Sequence, residues 1–373
     1  MRVALVAPGF APYRAPLWNA LAALCDLRII LLSAKARNRA WAADLDVLKA
    51  PVDCLGGPQV VVRRMDWVLN LSIQGIVAAL EAHEPHAVVV TSYQSPGFWV
   101  AQRWARRRGV PVVIAMGGHT TSTRTSGLPG FGYLKHRFIT QCAAGYTYCG
   151  RPGQAHLVAL GMPSDRIVTG YNGPDPRQFP TCERVGDGGG VPQLLYAGQF
   201  LRRKGVPEML DALALAQDAA WHLTVVGGGP EAPMVRRYAE KLGLSGRIHW
   251  RGQVPYDEIT SIYRSADVLL FPSLREVWGL VVNEALLSGL FVVATRHAAA
   301  SQELIVQGEN GLLVEPCDKA AFADAIRQAV GNAPYDRNRM RASAARITPD
   351  SEGAKLYEAI KLGMAALHSG ALT

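Results

Sequence analysis

Short apolar runs recur along this chain, and most are followed by a longer stretch of helix-like sequence. Unbroken apolar runs suit strands buried on both faces, and helices covering them need an apolar stripe, so the alternation predicts parallel α/β layers. In the first half, residues 2–7 and 27–32 read as strands around a helix at 16–24, and residues 87–91 and 111–115 as strands around a helix at 98–108. Residues 182–192 interrupt the pattern with the glycine and charge content of a linker. Strand-like runs then resume at 193–198, 222–227, 247–250, 266–271 and 290–295, with a last one at 311–314. A terminal helix at 351–368 is able to pack on either half. The expected organisation is one α/β domain over residues 1–182, a linker at 183–191 and a second α/β domain over 192–349.

At 373 residues, 49% of them hydrophobic, the chain has material for two ordinary cores. Pro8 and Gly9 cut the first apolar run too short for a secretory signal, and Asn283 with Glu284 interrupts the longest one before spanning length. A cytoplasmic protein is expected. The cysteines (Cys25, Cys54, Cys142, Cys149, Cys182 and Cys317) show no Cys-x-x-Cys pair and no histidines at zinc spacing, which predicts buried free thiols and no structural metal. Charge is divided unevenly: residues 1–180 hold 19 Lys+Arg against 9 Asp+Glu, and the remainder holds 20 against 21. The first half therefore carries all of the +9 excess and should face something anionic, such as a phosphate-bearing acceptor, a membrane surface or nucleic acid.

The most informative chemistry lies where an apolar strand runs into a helix, in the segment that contains Glu276 and Glu284. A helix start supplies backbone N–H groups for phosphate, and carboxylates accept hydrogen bonds from the paired hydroxyls of a ribose or hexose. Together these features suggest a sugar-nucleotide site. Local structure also accounts for them: Ser273 and Glu276 fit a capping box, and Glu284 fits an ordinary solvated helix position.

The order of motifs across the second half resembles the retaining glycosyltransferases of family four, the group 1 enzymes. It runs from Ala197 to Gly205, through the Gly227 turn and the strand 266–271, to the Glu276–Glu284 segment and the Gly308–Gly311 turn. The resemblance implies a GT-B fold, in which two facing Rossmann-like domains with parallel sheets hold a nucleotide-sugar donor in an interdomain cleft. It also implies that Lys204 binds the donor diphosphate, with Gly198 and Gly227 allowing close approach of the backbone. Glu276 would contact the transferred sugar and Glu284 the ribose. Backbone N–H groups of Val277, Trp278, Gly279 and Leu280 would bind phosphate and sugar hydroxyls, and the nucleobase would lie near Val254. Gln199 stands where the family usually has arginine, and Arg203 is the nearest substitute. Trp278 replaces a more usual phenylalanine and would shape the sugar pocket.

The first half matches less sharply. Gly9 occupies the glycine loop after the first strand, although the family's usual adjacent glycine pair is missing, and His119 stands where related enzymes carry a histidine facing the transferred sugar. A histidine at a strand end also serves as a structural hydrogen-bonder. The turn from Asn172 to Asp175 reads as an Asx turn closing the first domain. Arginines and Trp104 in 99–108, and the basic aromatic stretch 133–138, fit either helix-end charges with sheet-facing aromatics or a docking surface for a lipid-linked acceptor. Asp44 and Asp46 match Asp-x-Asp only as a string, without a buried strand before them.

The function implied is metal-independent, anomer-retaining transfer of a hexose-type sugar from a nucleoside diphosphate donor to an acceptor hydroxyl. The acceptor would be a glycan or lipid-linked precursor of cell-surface polysaccharide, with peripheral membrane contact through the basic half. No cofactor, metal or nucleic acid is expected. Two alternatives come from other classes. A dehydrogenase would need a Gly-x-Gly-x-x-Gly turn, which the loop at residues 7–12 lacks. A non-catalytic two-domain nucleotide-sugar or nucleic-acid-binding protein would also use a basic half.

Overall fold

The computed structural model describes residues 1–33, 45–62, 67–71, 73–118, 130–180, 190–255 and 258–368. It contains two compact units: Met1–Asn172 together with Pro349–Thr373, and Gly173–Thr348. The first unit is built on strands β1 (Arg2–Ala7), β2 (Asp26–Leu31) and β3 (Val52–Cys54). A separate antiparallel pair, β4 (Gln59–Val62) and β5 (Trp67–Asn70), follows. Then come β6 (Ala87–Val90), β7 (Val112–Met116), β8 (Ala144–Thr147) and β9 (Ile167–Thr169). All but the hairpin form one parallel sheet in the order β3-β2-β1-β6-β7-β8-β9. Alternate residues of its strands feed separate apolar clusters, with Val3 and Leu5 in one and Ala4 and Val6 in the other. That explains why these strands read as unbroken apolar runs.

The second unit contains β10 (Gln193–Ala197), β11 (His222–Val226), β12 (Ile248–Gly252), β13 (Val268–Phe271), β14 (Phe291–Thr295) and β15 (Gly311–Val314). They form a parallel sheet in the order β12-β11-β10-β13-β14-β15, the doubly wound arrangement of a dinucleotide-binding domain. Leu194, Tyr196, Leu223, Val225, Leu270 and Val293 pack on the helices Val206–Leu215 and Lys319–Gly331. The strands expected from sequence are present. β3, β8, β9 and the hairpin went unread: β3 and β9 have only three residues, and β8 and the hairpin strands are short and carry Gly145, Gln59 or Asn70, whereas the equally short β6 and β13 are wholly apolar.

The terminal helix Pro349–His368 returns to the first unit. Leu356, Ala359 and Ile360 join the cluster containing Val113 and Ala144. Glu352, buried on that helix, accepts hydrogen bonds from the Tyr146 O–H at 2.9 Å and the Tyr171 N–H at 2.7 Å. The boundary between the units falls between Asn172 and Gly173, earlier than the expected linker at 183–191, which lies almost wholly outside the described residues. Packing sets it there: Arg341 donates to the carbonyls of Phe179 and Pro176, and the Phe179 ring meets Tyr263 edge-on at 6.0 Å. Asp175 caps the turn Pro176–Gln178 by accepting the Arg177 N–H at 2.9 Å. Of the described cysteines, Cys142 and Cys149 are buried as expected, whereas Cys54 and Cys317 are exposed. Among the described residues, no helix is long and apolar enough to cross a membrane.

Candidate functional site

In an open parallel sheet, the loops beyond the carboxyl ends of the strands diverge where the strand order reverses, leaving a crevice. In the second unit β10 and β13 flank that reversal. Gly198, Gln199, Arg203 and Lys204 follow β10, while Glu276, Val277, Trp278, Gly279 and Leu280 follow β13. The two loops are tied through backbone: the N–H groups of Leu274 and Arg275 donate to the Arg203 carbonyl at 2.9 and 3.3 Å. Gly205 has φ +66°, and a Cβ on it would stand 2.0 Å from the Pro272 carbonyl oxygen, so only glycine fits there.

The β11 turn is joined to the same assembly. Gly198 N–H donates to Val226 O at 3.0 Å, Phe200 N–H to Gly228 O at 2.9 Å, and Gly227 N–H to Gly252 O at 2.8 Å. Gly227 lies against the Gly198 carbonyl, where a Cβ would come within 1.8 Å. Half-buried Val254 follows two residues after Gly252. Four strand-end loops, distant in sequence, thus form one floor.

On that floor the charges converge. Lys204 Nζ donates to Glu276 Oε2 in a short contact, and Arg203 Nη1 stands 3.8 Å from the same oxygen. Burial alone would push the Glu276 carboxyl up. The Lys204 charge and hydrogen bond, followed by Arg203 and the Val277 N–H, outweigh burial and hold it below 4.5. The helix Leu280–Leu287 begins only after Gly279, with no side chain capping it. The capping-box reading therefore fails: Glu276 lies ahead of the helix, its Oε1 accepts the Val277 N–H at 3.2 Å, and Ser273 Oγ is 3.5 Å from Oε2. An uncapped helix start beside two cations offers free N–H groups and positive charge, the chemistry that can take up a phosphate.

Glu284 sits within the helix, roughly 6 Å along its axis from the first residue. At 8% exposure it is no solvated surface residue. Burial pushes its carboxyl from 4.5 to about 7, against the opposing effect of a 2.7 Å hydrogen bond from the Tyr263 O–H. The paired glutamates thus differ in ionisation, one held charged by cations and the other driven toward neutrality by an apolar setting. Tyr263 had no signal in the sequence, because its helix, Ile259–Ser265, meets Glu284 only through tertiary packing.

Trp278 is buried, and its Nε1–H donates to Asn283 Oδ1 at 2.8 Å, so its ring braces the loop from within. Gln199 is exposed, and its carbonyl accepts from the Tyr196 O–H at 3.0 Å. The guanidinium beside Glu276 comes from Arg203. In the first unit Gly9 follows β1 and packs near the Ser33 carbonyl, where a Cβ would be 3.2 Å away. His119 and Asp44 lie outside the described residues.

Two family models cover most of the chain: "Glycosyl transferases group 1" over residues 184–347 and "Glycosyl transferase 4-like domain" over residues 9–173. The chain belongs to the group 1 glycosyltransferases. Among curated relatives of this glycosyltransferase family member is a D-inositol 3-phosphate glycosyltransferase of Corynebacterium urealyticum. It is 37% identical over 142 residues, 36% of this chain and 33% of the relative. The lipopolysaccharide core biosynthesis glycosyltransferase LpsE of Rhizobium meliloti is 30% identical over 186 residues, 49% of this chain and 53% of the relative. The chain thus spans between a third and about half of the length of these relatives. Solved structures match over nearly the full length. The lipopolysaccharide outer core galactosyltransferase WaaB superposes with TM-score 0.74 at 17% identity, covering 97% of this chain and 99% of that one. Anabaena HepE in complex with UDP gives TM-score 0.76 at 16% identity, covering 97% and 100%. These neighbours show the GT-B fold.

Proposed function

We propose that this glycosyltransferase moves a hexose-type sugar from a nucleoside diphosphate donor to an acceptor hydroxyl with retention at the anomeric carbon. The observation that carries the proposal is the convergence of Lys204 and Arg203 on Glu276 at the reversal of strand order, beside the uncapped helix start at Gly279. Departure of the nucleoside diphosphate places negative charge on a phosphate oxygen, and fixed cations lower that barrier without reorganising. In the donor-free site the cations are neutralised by Glu276. A bound diphosphate takes over as their counterion, freeing the Glu276 carboxylate to accept hydrogen bonds from the sugar hydroxyls. Glu284 accepts from the ribose hydroxyls, and the base lies near Val254.

Two cations already address the leaving group, so no divalent metal is assigned and EDTA should leave the rate unchanged. Retention rests on the resemblance of the Glu276–Glu284 segment to retaining enzymes, and the anomeric configuration of the product, read by NMR, tests it. The UDP bound in HepE supports a nucleoside diphosphate sugar as donor. The lipopolysaccharide enzymes among the relatives, with the basic first half, support an anionic glycan or lipid-linked acceptor. The decisive experiment is Lys204→Ala assayed at saturating donor. Losing one such preorganised donor of positive charge should lower turnover about 10²–10³-fold. Unchanged turnover would remove the leaving-group role, and binding of donor without transfer or hydrolysis would leave only a binding protein.

A further inference from the structure

The basic surface of the first unit contains a pocket that the donor chemistry does not use. A cavity of about 450 Å³ is lined by Trp99, Gln102, Arg103, Arg106, Arg107, Arg137 and Gln141. Arg103, Arg106 and Arg107 project from one face of the helix Pro96–Arg107, and Arg137 comes from the helix Phe131–Thr140. No acidic side chain lines the cavity, and none of the four guanidiniums forms an ion pair among the described residues. Arg108, the next residue, shows the contrast: it pairs with Glu81 at 2.7 Å and lies over the Trp104 ring. Like charges three and four positions apart on a helix repel, and among the described residues no carboxylate offsets this cluster.

The base of the pocket is fixed. The Trp99 ring meets Phe138 edge-on at 4.8 Å, and its Nε1–H donates to Tyr93 O at 2.9 Å. Gln102, 2% exposed, donates to Phe138 O at 2.9 Å. Trp104 faces the sheet, and Arg106 with Arg107 complements the helix carboxyl end, as the ordinary reading of this stretch holds. That reading leaves Arg103, Arg137 and the cavity unexplained. The helix follows β6 and runs back about 18 Å toward the amino ends of the strands, so its last turn is remote from the carboxyl-end loop that carries Gly9.

We propose that this pocket is a second anion site, which takes a phosphate group through the guanidiniums of Arg103, Arg106, Arg107 and Arg137. Planar guanidiniums match phosphate oxygens in pairs. The exposed side chains of Tyr133 (66%) and Leu134 (46%) precede Arg137 by one turn on the same helix, and they favour a phosphate carried on an amphiphile.

The test uses the full chain in a Lys204→Ala background, so that the donor site does not report. Binding of inorganic pyrophosphate is followed by calorimetry, and binding to phosphatidylcholine vesicles with and without phosphatidylglycerol by sedimentation. Removing charged hydrogen bonds in Arg103→Ala/Arg106→Ala/Arg137→Ala should weaken binding about tenfold per arginine, while Arg108→Ala should bind as the parent does. Loss of pyrophosphate binding in the triple variant assigns the site to free phosphates. Loss confined to anionic vesicles assigns it to a lipid headgroup. The proposal is overturned if the parent binds neither probe, or if the triple variant, folded by circular dichroism, binds both as well as the parent.

Discussion

Glu284 offers the sharpest quantitative test. Its carboxyl titrates near 7 in the folded protein against 4.5 when unfolded, so between those values the folded state holds a proton that the unfolded state has released. Stability from this group is fully present below pH 4.5 and is lost as the pH rises through about 7. The full loss is about 3 kcal/mol, and about 2 kcal/mol of it falls between pH 5.5 and 8. Glu284→Gln keeps an acceptor for the Tyr263 O–H and removes the titration. Urea unfolding of both proteins at pH 5.5, 7 and 8 isolates the effect, with Trp221 and Trp250 reporting on this unit. The stability of the wild type relative to the variant should fall by about 2 kcal/mol over that range. Parallel pH profiles would refute the assignment of a raised carboxyl. In the same samples at pH 8, the variant should bind UDP at least about tenfold more weakly if the carboxylate grips ribose, since hydrogen bonds to charged groups are the stronger kind.

Gly205→Ala should destabilise the second unit by at least about 2 kcal/mol, because the left-handed backbone and the Pro272 carbonyl both oppose a side chain, and thermal unfolding reads the loss. Glu276→Gln leaves Lys204 and Arg203 without their anion in the donor-free protein. Calorimetry should therefore show an unchanged or tighter affinity for the nucleoside diphosphate alone, while turnover of the nucleotide sugar falls about tenfold or more. Glu352→Ala strips the partner from the Tyr146 O–H and the Tyr171 N–H, so the terminal helix should gain faster amide exchange at a cost of about 2–3 kcal/mol in the first unit.

The sequence by itself determined the architecture, because strands buried on both faces must be unbroken apolar runs, and runs such as 87–91 and 290–295 have no other use. It also marked the loops that the resemblance assigns to the donor, since glycine turns and a lysine after a strand leave a local trace at Gly198–Gly205 and Gly227. What a local pattern does not contain is which loops touch. Only the tertiary structure joined Arg203 to Leu274 and Arg275 and placed Lys204 on Glu276, by putting β13 beside β10. It also decided between two readings of each glutamate. Glu276 precedes its helix and meets cations, so it is no cap; Glu284 is buried against Tyr263, so it is no surface residue. The unit boundary was decided the same way, because Gly173 onward follows its contacts with Arg341 and Tyr263 more closely than the glycine-rich composition downstream. Composition reports where a chain is free to bend, while burial and charge depend on neighbours that fold in from elsewhere.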